Sequence, residues 1–265
     1  MHIPAVEEHL LLSSHVTQTF KIQVMQPASE RGATTRFPVV YVLDANLTFD
    51  VAKGIAYSIQ HSQRDAPRFM VVGIGYPGDS PFAGSALRMR DLTFPGYPLT
   101  SHSGAEDFQR FLAQELFTFI DTKYRTIAGH RTVFGHSLGG GFGLYTLFTQ
   151  PELFKNYIVS SPGLRYYANT ERNDLLFDYA RQFFRSKPQL PGTRLYLSAG
   201  EHEEFEPEIE PWQLTSSVYR MIALIKRAAV PGLELFAEVF PRETHMTAWP
   251  LAFTHGVRAV LHGAF

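Results

Sequence analysis

The segment Gly135-His136-Ser137-Leu138-Gly139 sets a hydroxyl between two glycines, with the apolar run Thr132-Val133-Phe134 before it and Gly139-Gly140-Gly141 opening an apolar stretch after it. A serine hydroxyl is a weak nucleophile at neutral pH. It attacks effectively only when exposed beside a base and close to donors that stabilise an oxyanion. A strand, a tight turn and a helix in that order supply the exposure, and the glycines give the turn its room. The backbone N–H of Leu138, at the head of the helix, is the expected first oxyanion donor. A glycine-rich turn without chemistry could carry the same five residues, but it would not require the flanking strand and helix.

In this arrangement an acid and then a histidine follow the serine along the chain. Of the 11 histidines only His202, His245, His255 and His262 come after Ser137. The last two fall in a helical stretch. His245 ends the polar segment Pro241-Arg242-Glu243-Thr244-His245 between the last strand and the last helix, so it is the expected general base, against the plain alternative of a solvated loop histidine. The acid is expected in Gly200-Glu201-His202-Glu203-Glu204-Phe205-Glu206. Most carboxylates in such a run are solvated, since only one can pair with the imidazole. Glu203 is the leading choice, with Glu201 and Glu204 as alternatives. The second oxyanion donor is expected just after an earlier central strand, at Asp44-Ala45-Asn46, from the N–H of Asn46; these residues could equally cap a helix. Glu201-His202-Glu203 offers zinc-ligand types but at the spacing of an extended segment, and no second histidine pair stands at helical spacing, so neither a metal nor another cofactor is expected.

The elements that must hold these groups can be read from periodicity. Val16 to Met25 has the partial alternation of a half-exposed strand, whereas 37–43 and 69–75 are nearly continuous apolar runs, as in strands covered on both faces. Helices are expected over 49–60, 105–124, 139–150, 212–229 and 248–262, and further strands over 132–134, 157–160, 194–198 and 233–240. The Gly- and Pro-rich stretch 76–104 reads as a long loop passing over the site. Residues 163–191 lack strand character and read as a small helical cap. Alternating β and α segments imply a mostly parallel sheet flanked by helices, in one domain spanning 1–265 with the cap inserted.

Composition narrows the chemistry. With 24 Lys and Arg against 25 Asp and Glu there is no net field to hold nucleic acid, and a small, weakly charged ester is the better-suited partner. The absence of cysteine excludes disulfides, thiolate metal sites and a cysteine nucleophile. No run approaches the length of a membrane span, and acids in the first residues stand where a secretory signal would be basic, so cytoplasmic residence is the expectation. Oligomeric state has no signature in the sequence.

Taken in order, 37–44, Arg88-Met89-Arg90-Asp91-Leu92-Thr93, 108–112, the serine segment with Gly140, Ser160-Ser161-Pro162, Gly200-Glu201-His202-Glu203 and Thr244-His245 resemble the putative esterase group of α/β-hydrolases. That group includes IroE-like and Fes-like siderophore esterases, S-formylglutathione hydrolases and mycolyltransferases. The resemblance implies an α/β-hydrolase fold, Ser137, Glu203 and His245 as the triad, and Asp44 beside the oxyanion hole. It also implies Arg88 and Arg90 in the loop near the pocket, Arg90 as a substrate-binding residue, against the alternative of surface cations paired with Asp91. The length and the Arg-x-Arg-Asp-Leu-Thr segment are most similar to the siderophore trilactone esterases. Tyr166 and Tyr167, where relatives commonly carry tryptophan, are expected to form an aromatic wall together with Trp249, unless they pack in the core. An acyltransferase, a thioesterase or a feruloyl-type or carbohydrate esterase would use the same triad, and a non-catalytic binding protein could share the scaffold.

Overall fold

The computed structural model describes residues 5–27, 34–62, 66–78, 80–81, 83–97, 103–165 and 174–261. A hairpin of β1 (Val6–Leu12) and β2 (Thr19–Met25) comes first, then β3 (Phe37–Val42), α1 (Ala45–Ser62) and β4 (Met70–Gly75). The stretch expected as one long loop contains a short helix, α2 (Ser85–Asp91). Next come α3 (Ala105–Arg110), continued through a π-helical turn at Phe111–Leu116 into α4 (Phe117–Lys123), then β5 (Thr126–His136) and α5 (Leu138–Thr149). The series ends with β6 (Asn156–Ser160), α6 (Leu175–Arg185), β7 (Thr193–Gly200), α7 (Leu214–Ala228), β8 (Leu233–Phe240) and α8 (His245–Leu261). Between β6 and β7 the described residues hold the single helix α6, which packs on α5. Tyr166 and Tyr167 lie outside the described residues.

All eight strands form one sheet in the order β1-β2-β4-β3-β5-β6-β7-β8. From β4 to β8 the neighbours run parallel, while β1 and β2 pair antiparallel at one edge. The central strands read as unbroken apolar runs because both of their faces are covered. Val39 and Tyr41 join the cluster under α3, α4 and α5, whereas Val40 and Val42 join the one under α1 and α8. Strand β1 escapes a periodicity reading because Val-Glu-Glu-His-Leu-Leu-Leu lies on the edge with no fully buried residue.

After β3 the chain moves to β4 on one side and then returns to β5 on the other. That reversal opens a crevice at the carboxyl ends of β3 and β5, the place where open α/β sheets bind ligands. Asp44 follows one of these strands and Ser137 the other.

Candidate active site

At the end of β5 the chain turns into α5 through Ser137, whose φ of 57° and ψ of −119° are unusual for a residue with a side chain. The strain falls on the serine itself, and the glycines around it provide clearance. A Cβ on Gly135 would run into the carbonyl of Gly139, and one on Gly140 would meet the carbonyl oxygen of Ser160 at 2.8 Å. The Ser137 N–H donates to Ser160 O at 2.9 Å, which ties the turn to β6. Leu138 is the first residue of α5, so its N–H has no acceptor within the helix.

The neighbouring junction repeats this design. Asp44, between β3 and α1, also has a positive φ, 57°. Its carbonyl accepts from the N–H of Leu47 and Thr48, which leaves the first-turn amides of Ala45 and Asn46 without an intrahelical acceptor. The Asn46 side chain bridges to the end of β4, accepting from Tyr76 N at 2.7 Å and donating to Tyr76 O at 2.9 Å. Asn46, Ser137 and His245 line one cavity of about 300 Å³.

His245 is the first residue of α8, not part of the preceding loop as the sequence suggested. Its N–H donates to Glu206 at 3.0 Å. The four clustered glutamates do different work. Glu201 accepts from Arg242 N at 2.9 Å and Glu204 from Ser216 N at 3.1 Å, in the first turn of α7. Glu203 alone of the cluster is fully buried. Its Oε1 accepts from Gly200 N at 3.0 Å and from the Ser161 hydroxyl at 2.5 Å, and stands 3.7 Å from His245 Nδ1. Glu203 Oε2 and His245 Nδ1 are both buried and without a hydrogen-bond partner among the described residues. At 3.7 Å the pair is short of a formed hydrogen bond, as is common for catalytic pairs that tighten only around substrate. The two loops are locked together because Gly200 lies so close to the carbonyl of Glu243 that no side chain fits there.

Sequence reasoning passed over His136. Its ring lies 4.4 Å from that of His245, centroid to centroid, and its Nδ1 is 3.1 Å from the Ser160 hydroxyl. Burial, then the neighbouring His245 and Arg88, hold its pKa well below the ordinary imidazole range, so it is neutral. Its place inside the serine segment hid it, because only the fold shows what stands beside it.

Of the two arginines expected near the pocket, Arg88 and not Arg90 lines the cavities beside Ser137. Arg90 pairs with the buried Asp91 at 2.7 Å and with Gln18, away from the cavity walls. Arg88 lines the cavities on both sides of Ser137 and clasps Asp44 with Nε at 2.5 Å and Nη2 at 3.0 Å. Spacing of two along a helix turns the side chains about 200° apart, which a loop reading could not reveal. Trp249, expected in an aromatic wall, is core: it is buried against Phe134. Trp212 belongs to a short 3-10 turn before α7, and with Tyr97 and Leu214 it walls a second cavity of about 230 Å³ that also reaches Ser137 and His245.

The sheet order and an elbow of this geometry put the chain in the α/β-hydrolase class. It belongs to the Putative esterase family, whose model matches residues 13–260. The Ferri-bacillibactin esterase BesA of Bacillus subtilis (strain 168) is 28% identical over 275 residues, 98% of this chain and 91% of that protein. The Siderophore enterobactin esterase of Emericella nidulans is 31% identical over 183 residues, 63% of this chain and 58% of its own length. Among solved structures, the Siderophore hydrolase EstA from Aspergillus nidulans superposes with a TM-score of 0.83 at 22% identity, covering 96% of this chain and 93% of the other. The chain is a carboxylic ester hydrolase. Among the described residues no helix is long and apolar enough to cross a membrane.

Proposed function

We propose that the chain is a serine esterase that opens the ester bonds of a siderophore of the trilactone type through an acyl-enzyme on Ser137. The observation that carries this reading is the series Glu203, His245 and Ser137, in which His245 Nδ1 stands 3.7 Å from Oε1 of the fully buried Glu203 and the histidine and serine share both cavities. With Nδ1 turned to Glu203, Nε2 is the ring nitrogen left for the reaction. It takes the proton from the Ser137 hydroxyl as Oγ bonds to the ester carbonyl carbon. The Leu138 and Asn46 amides stabilise the oxyanion at the heads of two helices. The C–O bond to the alcohol then breaks, the alcohol leaves with the proton from His245, and water hydrolyses the acyl-enzyme by the same sequence. Glu203 holds the imidazole in the required tautomer and faces the imidazolium that forms.

The substrate class is supported by relatives named for siderophore esters and by the cavities themselves. One has aromatic walls, Tyr97 and Trp212, suited to an aryl group, and Arg88 opens on both. The Asp44 partner neutralises Arg88, which suits hydrogen bonding to oxygen more than capture of a free anion.

Two measurements test the reading. A fluorophosphonate probe should label the protein, and Ser137→Ala should abolish both labelling and cleavage of a short-chain nitrophenyl ester; retained activity would refute the nucleophile. A panel of catecholate trilactone, acyl thioester and feruloyl ester should rank the trilactone first by kcat/KM, and failure on the trilactone removes that substrate class while leaving the esterase chemistry standing.

A further inference from the structure

We propose that Ser161 is a positioning residue for the reaction: its hydroxyl holds Glu203 Oε1, the carboxylate oxygen that faces His245 Nδ1, in register with the imidazole. The proposal rests on the reading of Ser137, Glu203 and His245 as the reacting series.

Three independent features meet at Ser161. It is fully buried. Its φ is 45°, a conformation that a residue with a Cβ keeps only where the surroundings enforce it. Its N–H donates to Ser198 O at 2.7 Å, which fixes the backbone one residue beyond β6. That backbone aims the hydroxyl across 42 residues of sequence at Glu203 Oε1, 2.5 Å away.

The hydrogen-bond arithmetic at the carboxylate gives the consequence. Oε1 receives two donors, the Ser161 hydroxyl and Gly200 N–H, while Oε2 receives none. Both donors thus bear on the oxygen that stands 3.7 Å from His245 Nδ1, and together they fix its place in the buried site. His245 Nδ1, which has no hydrogen-bond partner among the described residues, is the ring nitrogen that faces this oxygen. Without the hydroxyl, Gly200 N–H alone would hold Oε1, and the carboxylate could rotate out of register with the imidazole.

A merely structural role, satisfying a buried polar group, predicts a different outcome from a role exerted through Glu203. The test is a double-mutant cycle on the full chain, with kcat and KM measured on a short-chain nitrophenyl ester for Ser161→Ala, Ser161→Gly, Glu203→Gln and the two double variants. Each single change at Ser161 should lower kcat about tenfold or more, with KM changed by less than about threefold, as for loss of an interaction that acts in the transition state. In the Glu203→Gln background most of that loss, on a logarithmic scale, should vanish. Ser161→Gly guards against failure to fold, since glycine adopts the positive φ at no steric cost. A loss in kcat below tenfold in the wild-type background, or one mostly retained beside Glu203→Gln, overturns the proposal. If Ser137→Ala remains active, the underlying triad reading has failed instead, and the two failures are told apart by that variant.

Discussion

The two halves of the site are built on different principles. The serine half, at the ends of β3 and β5, is local: Asp44 and Ser137 each take a positive φ between a strand and a helix, and what the elbow at Ser137 needs from the sequence is backbone clearance. The acid–histidine half is tertiary. Glu203 is held by Ser161 across 42 residues, Arg242 meets Glu201 across 41, and His245 meets Glu206 across 39. One half positions amides and a hydroxyl through backbone geometry, and the other sorts carboxylates by the donors they receive. The halves should therefore fail in different ways, the first by misfolding and the second by losing rate while the fold persists.

The largest expected effects break the second half. His245→Ala should lower kcat by on the order of 10⁵- to 10⁶-fold, and Glu203→Gln by on the order of 10³- to 10⁴-fold, as for the base and the orienting acid of a triad. The comparison is sharpened by the neighbours. Glu201→Gln and Glu204→Gln should each stay within about tenfold of wild type, because each accepts one backbone N–H that a glutamine oxygen can also accept. Steady-state kinetics on one nitrophenyl ester rank all four, and a deeper loss in Glu201→Gln or Glu204→Gln than in Glu203→Gln would move the acid to that residue.

Breaking the first half should show in stability. Gly135→Ala forces a methyl group against the Gly139 carbonyl at the tightest approach of the elbow, where backbone must move. A loss on the order of 3 kcal/mol is expected, the upper range for overpacking. Gly54→Ala is the control: it lies inside α1, and a Cβ there meets nothing within 4 Å. It should stabilise by about 0.5–1 kcal/mol. Urea midpoints at unchanged m read both. A neutral Gly135→Ala would mean the elbow has slack that its close contacts deny.

The same division explains what the sequence disclosed. The strand–Ser137–helix segment, the chain order and the placement of His245 between β8 and α8 are written in short-range pattern. So are the parallel strands, since burial on both faces leaves unbroken apolar runs such as 37–42. Which of Arg88 and Arg90 faces the cavity was hidden because α2 lies in a stretch whose glycines and prolines read as loop, and a helix decides between two nearby arginines. Trp212 was expected to open α7, but the helix begins at Leu214, which leaves the indole in the cavity wall. Ser161 and His136 could not be found by spacing at all, because their partners are brought to them by β6, β7 and α8.

The smallest effect tests His136, which sits at the seam of the two halves. Its pKa is held well below the ordinary 6.5 by burial, then by His245 and Arg88. Below about pH 6.5 the unfolded chain therefore binds a proton at this residue that the folded chain refuses. Stability must then fall as pH falls, with a slope approaching about 1.4 kcal/mol per pH unit for one proton. The contribution is fully present above the unfolded pKa and is lost on acidification. His136→Phe keeps a ring against His245 and removes the titrating group, so its stability should change less steeply between pH ~6.5 and pH ~5, even though the Ser160 hydroxyl loses its partner. The difference in slope between the two proteins isolates this residue from the other histidines, which are common to both. Urea unfolding at several pH values measures it, and equal slopes would mean that His136 takes up a proton in the folded protein.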